Sequence, residues 1–470
     1  MDDVGIARWD ARQGKKRIAR AFWLAAVSVC FLIGILAPRA SAAVDVSVPC
    51  NGPGGGTPGL IAAIQDANAD GGGTINLAPD CTYTVSSGSF DNGHGPVGLP
   101  PIDAAITIEG NRAIVEREPG ALPAFRLFEV LGAASLDINE TKLRKGNAGK
   151  TGDAIVGGGA ILVDHSGSLT VSDSLLSGNT SANGGAISST GTVRVLDSTL
   201  RNNHGADDPG ATGGAIINDG GRLIVTSSTL TDNDTTAKGG AIQNPAGIVR
   251  VTNSTISDNT VELNGAGGGI FNFGELTVRR STLSGNRALG FAANGGAIAN
   301  YAQGELTVVD STLSGNSAGE AGLEQARGGA IMNFGTGTIT TSTLAGNRVA
   351  GDKAIGGGIV DDSPLTVTAS IVANNPGRNC LGEVDDGGFN LEDGGTCGFA
   401  DHAVNAEPRL EPLADNGGQT ETRALLATSP AIDRVPPRRA ICEGTVDQRG
   451  VSRPQGPACD IGAFELVQRP

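Results

Sequence analysis

A parallel β-helix, an all-β solenoid, is predicted by three features of this 470-residue chain: an eightfold repeat between Gly158 and Asn375, side chains alternating with a period of two inside it, and 73 glycines. The repeat reads G-G-A-I, a polar step, L-T-V, then S-T-L-S-G-N. Its clearest copy is Gly295-Gly296-Ala297-Ile298, Leu306-Thr307-Val308 and Ser311-Thr312-Leu313-Ser314-Gly315-Asn316. The opening serine of the last element falls at 174, 198, 228, 254, 281, 311, 342 and 370, gaps of 24 to 31 residues, which is the size of one solenoid coil. Val171, Ser174 and Leu176 recur as Val278, Ser281 and Leu283, so the side-chain period is that of strands. Each run is too short for a helix and closes on Gly or Asn. A unit of three short strands and three turns, each strand pairing with its copy about 4.8 Å along the axis, accommodates all of this.

Stacking gives each repeated residue a task. Ile187, Ile216, Ile242, Ile270, Ile298, Ile331 and Ile359 are expected to lie over one another, as are Leu200, Leu230, Ile256, Leu283, Leu313 and Leu344. One coil cannot bury its own apolar side chains, so neighbours complete the core. A column of eight asparagines is expected from Asn179, Asn203, Asn233, Asn259, Asn286, Asn316, Asn347 and Asn375. A second runs through Asn218, Asn244, Asn272, Asn300 and Asn333. Asn tolerates left-handed turns and its amides can bond from coil to coil, so both columns read as structural.

The period varies because one turn varies. Between the closing Asn and the next Gly-Gly the insert grows from Thr180–Asn183 to Ser317–Arg327, so the inserts emerge on one side of the solenoid. Repeat proteins often bind on such a face. The inserts carry most of the chemical variety, including Asp207, Asp208, Lys238, Glu262, Arg287, Phe291, Glu320, Glu324, Arg327, Asp352 and Lys353.

Residues 1–42 read as a signal peptide: Lys15, Lys16, Arg17 and Arg20 precede the apolar run Ala21–Ala37, and Ala40-Ser41-Ala42 has the small-residue cleavage pattern. No later segment reaches transmembrane length. Losing the seven basic and three acidic residues of this segment takes the net charge from −15 to near −19. Such acidity argues against nucleic acid or an anionic membrane as partner and suits a secreted monomer. The six remaining cysteines are neighbours in sequence, Cys50 with Cys81, Cys380 with Cys397 and Cys442 with Cys459. They read as disulfides of an oxidising compartment, although other connectivities satisfy the same count.

The ends depart from the repeat. Residues 43–110 combine a capping helix over Leu60–Ala69, N-capped near Thr57, with strand-like runs at Thr74–Leu77 and Ile106–Glu109. The β-helix repeats are assigned to 111–375, where Leu136-Asp137-Ile138 and Leu143–Asn147 form a degenerate early copy. After Asn375 the pattern gives way to Gly-, Asp- and Pro-rich sequence with four cysteines, an irregular cap over 376–470.

The G-G-A-I and S-T-L-S-G-N units resemble bacterial right-handed parallel β-helix proteins, including the repeats of chlamydial polymorphic outer membrane proteins. The resemblance implies a right-handed, single-stranded, pectate-lyase-like solenoid. The tail motifs Asp415-Asn416-Gly417-Gly418-Gln419-Thr420, Ser429-Pro430-Ala431-Ile432-Asp433, Asp447-Gln448-Arg449-Gly450 and Cys459-Asp460-Ile461-Gly462-Ala463-Phe464-Glu465 resemble the choice-of-anchor Q domain of bacterial surface proteins. The start, from Cys50 to Asn68 and on to Tyr83, is similar to the CSLREA-type N-terminal region, with Pro58-Gly59-Leu60-Ile61 in place of its usual core letters. These resemblances imply export and cell-surface or extracellular residence, not a reaction. The 95 residues after Asn375 are too few and too irregular for a membrane barrel. No sorting motif precedes Gln468-Arg469-Pro470, so release and anchoring are both open.

Stacking also pairs acids. Asp173 with Asp197, just before the repeated Ser, and Asp232 with Asp258, just before the repeated Asn, are each expected in adjacent coils. At roughly 5 Å such a pair can raise one carboxyl's pKa or hold calcium, for which Asp232 and Asp258 are the candidates. No other cofactor is indicated. The histidines His94, His165, His204 and His402 are scattered and suggest no catalytic or metal triad. The favoured reading is a non-catalytic protein that binds glycan, matrix or cells through the insert face. The alternative is a polysaccharide lyase or glycoside hydrolase working on acidic polysaccharide through the paired aspartates.

Overall fold

In the computed structural model the described residues are 44–149, 157–206, 209–263, 265–320, 325–351, 355–400 and 403–467. The proposed signal peptide 1–42, the insert residues Asp207, Asp208, Glu324, Asp352 and Lys353, His402, and the terminal 468–470 lie outside them. The chain is a right-handed parallel β-helix. Each repeat supplies a three-residue strand such as Ile298–Asn300, a five-residue strand such as Glu305–Val309, and a second three-residue strand such as Thr312–Ser314. A fourth, two-residue strand such as Ser317–Ala318 follows the closing asparagine, one more element than the repeat suggested. Every strand pairs in parallel with its copy in the next coil, giving sheets of 21, 13 and seven strands among the described residues. The first sheet holds both the Ile-x-Asn and the L-T-V strands. The second holds T-L-S, and the third the two-residue strands. The stack extends beyond the recognisable repeats, from Val44–Val48 to Val404–Asn405. Leu136 pairs with Leu169 and Leu143 with Leu176, so the degenerate copy is a true coil.

The expected apolar columns form the core. Ile187, Ile216, Ile242, Ile270, Ile298, Ile331 and Ile359 are in register and fully buried, as are Leu200, Leu230, Ile256, Leu283, Leu313 and Leu344. Each such side chain stabilises the stack by about 1.5–3 kcal/mol. The Gly-Gly pair has a steric cause. At Gly295 φ is +64° and a Cβ would stand 2.1 Å from Ile298 O, while a Cβ on Gly296 would stand 2.2 Å from Gly329 O of the next coil.

Both asparagine columns are buried hydrogen-bond ladders. Asn259 Nδ2 donates to Asn286 Oδ1, and Asn286 Nδ2 to Asn316 Oδ1, each at 2.9 Å, while each amide also donates to a leucine or isoleucine carbonyl of the preceding coil. The second column runs Asn218, Asn244, Asn272, Asn300, Asn333 and ends on Asp361. A third ladder was not foreseen: the backbone N–H of each repeated serine donates to the next serine's Oγ, as from Ser254 to Ser281 at 3.1 Å and Ser281 to Ser311 at 3.2 Å. The serine hydroxyl in turn donates to the carbonyl two residues back, so the turn is closed within the buried layer.

At the N-terminal end the helix Gly56–Ala69 begins earlier than predicted, and its N-cap is Gly55 without a side-chain bond. Thr57 does not cap it because its Oγ1 donates to Thr84 O. Disulfides join Cys50–Cys81, Cys380–Cys397 and Cys442–Cys459. After the last coil the chain turns back along the outer face of the second sheet. Ile371 and Ala373 of that sheet, with Ala369 in the turn before them, pack with Leu425, Val435, Ile461 and Phe464. Further back, Arg423 Nε donates to Ser314 Oγ, Thr282 Oγ1 donates to Glu421 O, and Gln419 reaches Ser227. The four tail motifs therefore clamp the coil stack. Arg449 forms a two-pronged pair with Asp447 and lies 3.5 Å over the Phe464 ring, and buried Arg453 pairs with Glu465.

Candidate functional site

The paired aspartates are adjacent as expected, but the backbone explains their positions. Asp173 and Asp197 have φ of +49° and +46°, and the same place in later coils holds Ser227, Asn253, Arg280, Asp310, Thr341 and Ala369, all with positive φ. Asp232 and Asp258, at +53° and +56°, share their column with Gly178, Asn202, Gly285, Gly315 and Asn374. Left-handed turn residues cost least as Gly, Asn or Asp, so these columns select for turn geometry. Burial and the charge of Asp232 raise the pKa of Asp258, whose carboxylate occupies the space above Gly285. Among the described residues no group of three or more His, Cys, Asp or Glu converges to hold a metal. Calcium at Asp232 and Asp258 would therefore have two carboxylates and otherwise carbonyls or water.

Asp173 and Asp197 line a shallow cleft of about 440 Å³ with Arg112, Lys142, Thr199 and Arg201. It lies on the second sheet beside the far end of the folded-back tail, where Gln419 bonds Ser227 and lines an adjoining hollow with Asp197 and Asn253. Asp232 and Asp258 are not part of it, so the two acidic pairs do not form one site.

The insert-bearing side holds a feature that the acid-centred reading missed. Phe273, Tyr301 and Phe334 each follow a ladder asparagine (Asn272, Asn300, Asn333), and that register stacks them on successive coils. Ring centroids are 5.5 Å apart from Phe273 to Tyr301 and 5.0 Å from Tyr301 to Phe334, with Phe271 buried behind at 5.1 and 5.0 Å. The three outer rings are half-buried and form a continuous row. Insert residues brace it: Lys238 Nζ lies 4.9 Å over Phe271, and Asn294 Nδ2 donates to Tyr301 Oη at 3.3 Å. Lys238, Ala266, Asn294, Arg327 and Ile355 are themselves held in register by backbone bridges, so the inserts rise beside the row. In a chain with 3% aromatics this concentration is specific. Its signal in the sequence was an aromatic one residue after three successive members of the second Asn column.

Fold and surface together define a right-handed β-helix with a lateral aromatic row. The family model described as "Right handed beta helix region" matches residues 129–317. The solved structure titled "Crystal structure of pectate lyase Pel9A" is similar at 16% identity and a TM-score of 0.42, over 91% of this chain and 98% of that chain. No curated protein matches.

Proposed function

We propose that the chain is an exported, non-catalytic β-helix protein that binds polysaccharide along its insert-bearing face. The row Phe273, Tyr301, Phe334 carries this reading. Aromatic faces are electron-rich and rigid, so they stack on the C–H faces of sugar rings with little loss of conformational entropy. A row repeating at one ring per coil suits a polymer with a repeating ring. The disulfides and the acidic surface support an extracellular setting. Among the described residues no helix is long and apolar enough to cross a membrane. A glycan array read in parallel with a depolymerisation panel tests the proposal. Binding that falls about tenfold or more in Tyr301→Ala and Phe334→Ala, without cleavage products, is expected.

The enzymatic alternative draws on one observation, the cleft where Asp173 and Asp197 sit beside Arg112, Lys142 and Arg201. Turnover of a polyuronide that disappears in Asp173→Asn or Asp197→Asn would establish it and displace the binding reading.

A further inference from the structure

The aromatic row continues in the next coil as Asp362, because the ladder Asn272–Asn300–Asn333 continues as Asp361. There a cleft of about 470 Å³ is walled by Asp361, Asp362, Glu383 and Asp385. Arg327, 3.7 Å from Asp362, is the one cation within ion-pair distance of these acids among the described residues.

Asp361 is 2% exposed; its Oδ1 accepts from Asn333 Nδ2 at 2.8 Å and from the Ser363 N–H at 3.4 Å, and its Oδ2 meets no donor among the described residues. In earlier coils the second atom of this side chain is an amide nitrogen. Asn300 Nδ2, for example, donates to Gly304 O at 3.1 Å, to Asn333 Oδ1 at 2.7 Å and to Thr336 O at 3.2 Å. With oxygen in that place, an acceptor stands where the fold otherwise supplies a donor. Gly382 is in register in the following coil and has no side chain to offer one. Burial, with the charges of Asp362 and Asp385, pushes the Asp361 carboxyl up to about 6. The Oδ2 atom alone lacks a donor among the described residues, and an unmet buried acceptor is costly.

The geometry points to a subsite for an amino sugar: a glycan lying on Phe273, Tyr301 and Phe334 would direct an ammonium group toward Asp361 and Asp362. This rests on the reading of the aromatic row as a polysaccharide platform and deepens it. An ammonium supplies several donors and a positive charge, so it both fills the missing donor and pairs with the carboxylates, which a hydroxyl or an acetylated amine cannot do. A polyuronide would be repelled by the same acids, and the net charge of −15 favours a cationic polymer at longer range.

The experiment titrates the full chain with a β-linked glucosamine oligomer and with its N-acetylated counterpart, so that the free amine is the one difference. The free-amine form is expected to bind about tenfold more tightly or better. Asp361→Asn restores the residue the ladder carries elsewhere and should fold normally, as thermal unfolding will verify. It is expected to bring the two oligomers within about twofold while binding of the acetylated form is kept. Equal binding by the unchanged protein, or an amine preference that survives in Asp361→Asn, overturns the subsite. If the acetylated oligomer binds and is lost in Tyr301→Ala but no amine preference exists, the platform stands and the subsite falls. If neither oligomer binds, the subsite falls, and the platform stands or falls on the glycan array. Calcium alone bound stoichiometrically, and lost in Asp361→Asn, would reassign the cleft to a metal.

Discussion

Gln448 holds its Oε1 2.6 Å from the hydroxyl of Thr312, 136 residues away, while its Nε2 donates to Thr282 Oγ1 in the preceding coil at 2.8 Å. One buried amide thus bridges two rungs of the second sheet, and it also bonds Thr420 Oγ1 and Glu421 O. Replacing it with leucine keeps the bulk and strands several buried polar atoms, a loss of about 3 kcal/mol. Because coils contact only their neighbours, the damage should stay with the clamp. Gln448→Leu is expected to expose 410–467 to limited proteolysis while the far-ultraviolet signal of the coil stack persists. A variant cut no faster than the parent would mean that the apolar contacts alone hold the tail down.

The central asparagines should be far more costly to remove than any surface residue. Asn286 accepts from both the backbone N–H and the side chain of Asn259, and donates to Asn316 and to Ile256 O. Asn286→Ala abandons all four bonds in a fully buried layer, a destabilisation of about 3 kcal/mol or more. Urea denaturation will measure it. Glycan affinity should not change, since the ladder lies inside the coil; a selective loss of binding at unaltered stability would contradict a structural ladder.

How much of this could be read beforehand follows from how each feature is encoded. The apolar and asparagine columns were legible because stacking demands the same residue at the same step, as at Ile270, Ile298 and Ile331. The turn columns were not, because a positive φ is met by residues as different as Asp197, Ser227, Asn253 and Gly285, so the acids looked like chemistry. The clamp was invisible for another reason: Gln419 touches Ser227 across 192 residues, and no local pattern carries such a contact. The aromatic row fell between these cases. Phe273, Tyr301 and Phe334 lie one residue beyond an asparagine column that had been recognised, but Thr190, Asp219 and Pro245 precede them at the same step and mask the run.

If turn geometry rather than catalysis selects Asp232 and Asp258, stability should track the backbone and not the charge. Asp232→Gly and Asp258→Gly are each expected to stay within about 1 kcal/mol of the parent, since glycine takes a positive φ freely although it costs unfolded-state entropy. Asp→Asn should be similarly mild. Valine at either place should cost about 1–2 kcal/mol, because its branched side chain resists the left-handed region. The comparison is made by urea midpoints on the six single variants. A large penalty for Asn, with Val no worse than Gly, would show that the carboxylates themselves are needed.

Two buried carboxyls set the expected response to pH. Burial with nearby Asp362 and Asp385 raises Asp361 to about 6, and burial with the neighbouring Glu465 raises Asp460 to about 7. Between the ordinary aspartate value near 4 and these values, the folded chain holds protons that the unfolded chain has released. The folded state therefore binds more protons there, and stability falls as pH rises from about 4 through 6 and 7, then levels. The shifts correspond to losses of about 3 kcal/mol for Asp361 and about 4 kcal/mol for Asp460. Asp361→Asn should remove its share: little change at pH 4, a gain at pH 8, and a shallower slope between, with the Asp460 step remaining. Unfolding free energies measured by urea across that range decide the matter. A slope unaltered by Asp361→Asn would mean that Asp361 is ionised in the folded chain and finds its donor elsewhere, which would also remove the reason to seek one in a ligand.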